Sequence, residues 1–438
     1  MMEIPCGLQE QFLEAKELIE SSNDIKIYTH TDCDGICSGA ILSIILDRLN
    51  KDYEIEFVNL DEIEDLDLDH KLTIFSDLGS GQGVDKNAKD GQKILILDHH
   101  PPLRDINYKN DKAYTYLEIN PMFYGIDGSY YVCGGGLCYF LAKTFGFKDL
   151  SWIGVLSAIG DMQNNKTGHF EGLNEIIQED AINEGLLKVT KNDLNIYGRS
   201  TRPLYVALSY FSDVKLPITN NQQEAKVVLE ELGVDEKHNR KTLSEVTEED
   251  KMEIKKFLSR MISKRVPPKY LKYVPKLIVG DAYTFLNEEE GSFLRDGSEF
   301  STAMNACGRN RKEAIGVDII KGDRLVALDA LEEVSKTHKY NLATSISKVA
   351  DNYHSEIIEL DNFQYFDCSD FDEDIASNII GTITGMVLGY CNWKKPILGF
   401  SKPKNNQIKV SLRCSKLLAY DGIHFGNMIR EIAKEVGG

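Results

Sequence analysis

Four apolar runs within the first 161 residues each stop at an aspartate or a histidine. IKIYTH ends at His30, KLTIFSD at Asp77, KILILDH at Asp98 and His99, and WIGVLSAIG runs on through Gly160 to Asp161. The shorter runs are strand-length. Helical patterns lie before and between them, at 8–21, at GICSGAILSIILDRL (35–49) and at GGGLCYFLAKTFG (134–146). With YEIEFVN (53–59) as a further strand, this alternation predicts an α/β fold around a parallel sheet. Ligands of such sheets bind beyond the carboxyl ends of the strands, where the acidic residues stand.

The first cluster is His30-Thr31-Asp32-Cys33-Asp34-Gly35. In extended backbone, alternate residues project to one face, so His30, Asp32 and Asp34 are expected to converge. Such groups repel and desolvate one another unless a cation compensates. A lone aspartate at a strand end is ordinarily a turn-former or a cap. Four such positions, two with histidine, point instead to a metal site. His30, Asp32, Asp34, Asp77, His99 and Asp161 supply hard oxygens and two imidazoles with no sulfur, a set that suits Mn²⁺ first and Mg²⁺ second rather than structural zinc. Six groups can serve two cations about 3.5–4 Å apart, a spacing used for in-line phosphoryl displacement.

At 438 residues and 42% hydrophobic content the chain affords two or three domains with sizeable cores. It has no run of about 18 apolar residues, and its N-terminus lacks an apolar signal region. No membrane association and a cytoplasmic location are expected. Nine cysteines without a CxxC pair read as reduced thiols. A net charge of −19 argues against sequence-independent coating of DNA. Between Glu253 and Asp281, however, every charged residue is basic, and the same holds between Asp374 and Asp421. These stretches are either solvated faces or a footprint for an anionic ligand.

Residues 205–275 are rich in helical patterns. Thr247 is a candidate N-cap with Asp250 three residues on, and RVPPKYLKYVP (265–275) reads as a linker. Beyond 297 a second α/β pattern begins. The expected division is 1–205 for the metal-site domain, 206–296 for a helical connector and 297–438 for a smaller α/β domain, with the active site at the cleft between domains. The run Gly134–Gly136 either cradles a phosphate at a helix N-terminus or allows close helix–sheet packing.

HTDCDG, SDLG, LDHHPP and GD, in that order, resemble the four motifs of the DHH phosphoesterase superfamily. The resemblance implies that His30, Asp32 and Asp77 hold one ion. Asp34, Asp77, His99 and Asp161 would hold the other, with Asp77 bridging. It places His100 against the scissile phosphate and gives Asp98 the task of orienting a histidine. The single residue between His30 and Asp32 is similar to the RecJ nuclease branch rather than the pyrophosphatase branch, which has three.

MNACGR (304–309) resembles the asparagine–glycine–arginine motif of RecJ-type enzymes and implies phosphate contacts from Asn305 and Arg309. VSLRCS (410–415) resembles the serine–arginine motif of DHHA1 domains and implies further contacts from Ser411 and Arg413. A structural ion pair is the alternative role for either arginine. GRSTRPLYVALSYFSD (198–213) together with EFSTAMNACGR (299–309) is similar to the archaeal RecJ-like nuclease associated with GINS. The chain stops at EIAKEVGG, where the glycine-rich GGGH segment of DHHA1 domains would begin. The resemblance implies an exonuclease on single-stranded DNA or RNA, with the GINS replication complex as a partner. Its rivals are a phosphodiesterase of oligoribonucleotides or cyclic dinucleotides, a non-catalytic replication scaffold related to RecJ, and a pyrophosphatase.

Overall fold

The computed structural model describes all residues except Met1, 109–112, 235–240, 352–356, 370, 372, 403–407, 424 and 437–438. Lys404 of the second basic stretch and the terminal glycines of EIAKEVGG therefore lie outside the described residues.

The chain opens with α1 (Cys6–Glu20), β1 (Ile25–Thr29), α2 (Cys33–Arg48), β2 (Tyr53–Phe57), β3 (Leu72–Ser76), β4 (Lys93–Leu97) and β5 (Thr115–Ile119). The five strands form one sheet in the order β2-β1-β3-β4-β5, and every pairing is parallel. The in-register pairs Thr29–Ser76 and Ser76–Leu97 bring three strand ends to one edge. His30, Asp77 and Asp98 follow those ends directly. Side chains alternate across the sheet as period-two geometry requires. Ile27, Ile74 and Leu95 join one core, and Tyr28, Phe75 and Ile96 join another on the opposite face.

Next come α3 (Gly134–Thr144), α4 (Ser151–Gly160), α5 (Leu173–Asn183) and β6 (Leu187–Leu194). Helices α2, α3 and α4 pack together beside the sheet. The chain divides into two compact units, and residues 192–281 belong to the second. They carry α6 (Leu204–Ser209), α7 (Gln222–Glu231), α8 (Glu248–Ser263) and α9 (Val274–Ile278). Thr247 caps α8 by accepting from the Asp250 N–H at 3.1 Å. Buried Asp193 is gripped there by Arg199 at 2.5 Å and Lys251 at 3.1 Å, the pairing a buried carboxylate needs.

Strand β7 (Val279–Phe285) leads back to the first unit, which residues 282–335 complete. These hold α10 (Gly297–Arg309), α11 (Glu313–Ile320) and the start of α12 (Val326–Asp351). Helices α10 and α11 pack on α2, and α10 also packs on α4. The second unit ends with β8 (Ile358–Glu359), β9 (Gln364–Asp367), α13 (Glu373–Val387), β10 (Ile397–Ser401), β11 (Lys409–Arg413), α14 (Lys416–Tyr420) and α15 (Phe425–Val436). Its sheet runs β11-β10-β9-β8, with α13 against β10 and β11.

Two expectations differ from this arrangement. The division at 297 assigned α10 and α11 to the C-terminal domain, whereas both lie in the first unit. Their apolar faces, including Phe300, Met304, Val317 and Ile320, belong to the first unit's core. Local periodicity does not say which core a helix will join. Residues 265–275 are not a linker, because Val266, Tyr270 and Val274 are buried in the second unit's core. The two prolines end α8 without releasing the chain from packing.

Candidate metal centre

His30 ends β1, and the chain turns at once into α2. Asp32 is the N-cap, accepting from the Gly35 N–H at 3.0 Å, and Asp34 lies in the first turn. The cluster therefore converges at a helix start, not along an extended strand as the spacing suggested. Gly35 is required by close approach, since a Cβ there would sit 2.0 Å from the His30 carbonyl oxygen.

Asp77 follows β3 in left-handed backbone, with φ +58°. That conformation is uncommon for a residue with a side chain. It stands between two groups of ligand atoms. Oδ2 lies 3.5 Å from His30 Nδ1, and Oδ1 lies 3.2 Å from His99 Nε2. His30 Nδ1 is also 3.1 Å from Asp32. His99 Nε2 is 3.5 Å from Asp34 and 3.9 Å from Asp161. One group is thus His30, Asp32 and Asp77, and another is Asp34, His99 and Asp161.

The fit to cations is visible in the buried atoms left without a hydrogen bond. His30 Nδ1, Asp77 Oδ2 and His99 Nε2 are buried and make no hydrogen bond among the described residues. Buried polar atoms are ordinarily satisfied. Burial, then the charges of Asp34 and Asp32, push the Asp77 carboxyl up to about 8. Burial and Asp34 likewise raise Asp161 to about 7, against the opposing His99. Burial disfavours the His30 cation, but Asp32 and Asp77 outweigh it and raise the ring to about 11. The site holds more negative charge than its histidines neutralise, so protons occupy it in the absence of cations. Hard-oxygen ligands with two imidazoles suit divalent ions that can replace those protons.

Supporting residues aim the ligands. His99 Nδ1–H donates to the Gly128 carbonyl at 2.7 Å, which leaves Nε2 facing the carboxylates. Gln163 donates to that same carbonyl at 2.8 Å and to Asp161 Oδ2 at 2.9 Å, while Asn174 donates to Gln163 at 2.6 Å. Asp98 is spent on positioning. It accepts the backbone N–H groups of Ser80, His99 and His100 and the His100 Nδ1–H at 2.8 Å. Burial opposes ionisation there, but the bond from His100 holds the carboxyl below its usual range. The His100 side chain is 47% exposed, so its ring can meet a ligand from solvent. Buried Asn120 donates to the His100 carbonyl at 2.8 Å.

The glycine run takes up the packing alternative and adds a hydrogen-bonding role. Gly134 and Gly135 each donate a backbone N–H to Asp34 at 2.8 Å, and the Ser157 hydroxyl donates to it as well. A Cβ on Gly134 would lie 2.7 Å from the Asp77 Cβ, and one on Gly135 would lie 2.2 Å from Ser157 Oγ.

Asn305 and Arg309 lie on α10. Asn305 Oδ1 accepts from the Cys33 N–H at 3.1 Å, so it braces the turn that carries Asp32 and Asp34. Beside it, Gly308 allows contact that a Cβ would block, 1.7 Å from the Thr31 carbonyl oxygen. Arg309 is half-buried. Ser411 and Arg413 stand two apart on β11 in the second unit. A Cβ at Gly381 of α13 would lie 3.2 Å from the Arg413 guanidinium and 3.7 Å from Ser411 Oγ, which is buried without a hydrogen-bond partner among the described residues. Ser157, Gln163, Asn174, Asn120 and Ser80 escaped sequence reading. Gln163 stands two residues after Asp161, but a glutamine there has no spacing rule to mark it.

A parallel sheet with carboxylates and histidines gathered at its strand ends defines an α/β protein with a candidate two-cation centre. The DHH family N-terminal domain matches residues 24–156, and the DHH-CID domain matches residues 196–274. The Methanocaldococcus jannaschii protein MJ0831 is 30% identical over 422 residues, which cover 94% of this chain and 86% of that protein. CDC45 from Entamoeba histolytica shares the fold with a TM-score of 0.64 at 15% identity, covering 98% of this chain and 93% of that one. RecJ from Thermus thermophilus, solved with Mn²⁺, gives a TM-score of 0.51 at 12% identity, covering 94% of this chain and 48% of that one. The chain belongs to the DHH superfamily and shares its fold with CDC45 and RecJ.

Proposed function

We propose that the protein is a Mn²⁺-dependent phosphodiesterase acting as a RecJ-like exonuclease on single-stranded DNA or RNA. The observation that carries this reading is Asp77, whose two oxygens serve two groups of ligand atoms. His30, Asp32 and Asp77 would hold one cation, and Asp34, Asp77, His99 and Asp161 the other. Such cations supply positive charge to the phosphoryl oxygens and lower the pKa of an attacking water. Asp98 fixes the ring of His100, which leaves Nε2 to donate to a phosphoryl oxygen as charge develops there. Asn305 keeps Asp32 and Asp34 in place through the Cys33 N–H. Arg309, Ser411 and Arg413 are the proposed contacts to other phosphates of the strand.

The test is digestion of end-labelled single-stranded DNA and RNA with and without Mn²⁺, with Asp34→Ala and Asp77→Ala as controls. Mn²⁺-dependent cleavage lost in both variants supports the reading, and retained turnover in either overturns the two-cation assignment. A length series down to dinucleotides separates an exonuclease from a small-substrate phosphodiesterase. The second reading is a non-catalytic scaffold, and the coverage of CDC45 along nearly the whole chain favours it. Failure to bind Mn²⁺ would select it. GINS belongs to the proposal as a partner, and co-purification with recombinant GINS tests it.

A further inference from the structure

Helix α8 buries Ile254, Leu258 and Ile262 in the second unit's core. Its outer side carries two stripes at four-residue spacing. One is Lys256, Arg260 and Lys264, all exposed, and the other is Lys255, Ser259 and Ser263. Both stripes line a surface groove whose other wall is apolar, with Pro275 and Ile278. No carboxylate lines this groove among the described residues. Lys256 pairs with Glu253 at 2.7 Å at the surface, and Arg260 and Lys264 have no acidic partner among the described residues. In a chain of net charge −19, such a concentration stands out.

We propose that this groove binds the sugar–phosphate backbone of a single-stranded nucleic acid, as a site in its own right beyond the metal centre. Four residues of helix advance about 6 Å, on the scale of the step between successive phosphates along a strand. Each cation of the outer stripe can thus face its own phosphate, while the serine hydroxyls donate to phosphate oxygens. The segment beyond α8 carries aromatic surface in the same unit, outside the groove lining. Lys272 lies 4.7 Å over the ring of Tyr273, and Lys276 lies 5.5 Å over that of Tyr420. The two half-buried tyrosine rings stand 5.5 Å apart. Basic tracks with partly exposed rings are how proteins hold single strands without reading sequence.

The test uses the full chain in EDTA, so that binding is read without cleavage and independently of the phosphodiesterase reading. Fluorescence anisotropy follows a labelled oligothymidylate of about 20 nucleotides across a salt series. Replacing Lys256, Arg260 and Lys264 with glutamine is expected to weaken binding roughly tenfold or more at low salt and to make the log–log salt slope shallower by about 2. The melting temperature should stay near that of the parent. Arginine at 256 and 264 should retain binding. If the triple variant folds poorly, Arg260→Gln and Lys264→Gln are read singly, each expected to cut the salt slope by about 0.7. Parent-like affinity and slope in the variants would overturn the proposal. So would polyglutamate binding as tightly as the oligonucleotide with the same dependence on the three cations. Should Mn²⁺-dependent hydrolysis fail while this binding holds, only the phosphodiesterase reading falls.

Discussion

The backbone N–H of Gly134 donates to Asp34 Oδ2 at 2.8 Å across 100 residues of sequence. The N-terminus of α3 is thereby committed to a carboxylate of the protein itself. The positive end of the helix dipole thus faces a carboxylate that is itself a proposed cation ligand. The same contact explains why small residues are needed here, because the donors must come within hydrogen-bond reach of Asp34 while passing the Asp77 backbone.

Alanine at Gly135 should therefore damage the site more than its size suggests. A methyl group 2.2 Å from Ser157 Oγ forces α3 or Ser157 to move, and Ser157 is a donor to Asp34. Overpacking of this kind typically costs about 1–3 kcal/mol. Denaturant melts should show that loss, and Mn²⁺ titration should show weakened binding. A variant with parent-like stability and metal affinity would contradict the role given to the glycine run.

Asp77→Asn should separate stability from function. The carboxyl is pushed up to about 8 by burial and by Asp34 and Asp32. Removing its charge relieves repulsion in the metal-free protein, so the melting temperature without metal at pH 8 should rise. The increase on adding Mn²⁺ should shrink sharply, and hydrolysis should fall to about one-thousandth or less. Calorimetry with and without Mn²⁺ checks both halves.

The stabilisation by Mn²⁺ should grow from pH 6 to pH 8. Asp77 and Asp161 have folded-state pKa values of about 8 and about 7, above the unfolded value of 3.8. The proton-linked stability of these two groups is present at low pH and is lost as pH rises through 7 to 8. His30, raised from 6.5 to about 11, acts in the same direction from pH 6.5 upward. Cations that displace these protons bind better at higher pH. A Mn²⁺-induced melting shift that is larger at pH 6 than at pH 8 would contradict this account.

Gln163→Leu tests the brace behind His99 and Asp161. It removes donors to the Gly128 carbonyl and to Asp161 while conserving much of the side-chain volume. Loss of such supporting bonds typically weakens metal affinity about 10–100-fold. Isothermal titration with Mn²⁺ measures it, and circular dichroism should find the fold retained.

Asn305→Ala distinguishes bracing from substrate contact. Without its Oδ1 the Cys33 N–H loses an acceptor, at a cost of about 1 kcal/mol. Weaker Mn²⁺ binding identifies Asn305 as a positioning residue. A rise in KM with unchanged Mn²⁺ affinity would restore the substrate contact that the motif implied.

The ends of β1, β3, β4 and α4 were legible because apolar runs seldom halt at an aspartate or histidine four times in one stretch of chain. His30, Asp77, His99 and Asp161 could be read from that pattern alone. The path from His30 to Asp34 was read in the wrong geometry, since nothing in the hexapeptide says that α2 begins at Cys33. The membership of α10 was hidden for a different reason. An amphipathic helix advertises one apolar face, and Phe300 and Met304 would suit either core. Strand β5 was overlooked between the DHH motif and the glycine run, although Asn120 at its end holds His100. Polar braces such as Gln163 are invisible in sequence because a hydrogen bond to a carbonyl leaves no periodicity.

Cys33 and Asn305 are joined by one hydrogen bond but separated by 272 residues. During synthesis every proposed cation ligand leaves the ribosome long before α10 exists. The ligands and the donors from α3 and α4 are thus made while the helix that braces the start of α2 is still untranslated. A chain halted within residues 192–281 would therefore carry every proposed ligand but not the Asn305 acceptor that braces the start of α2.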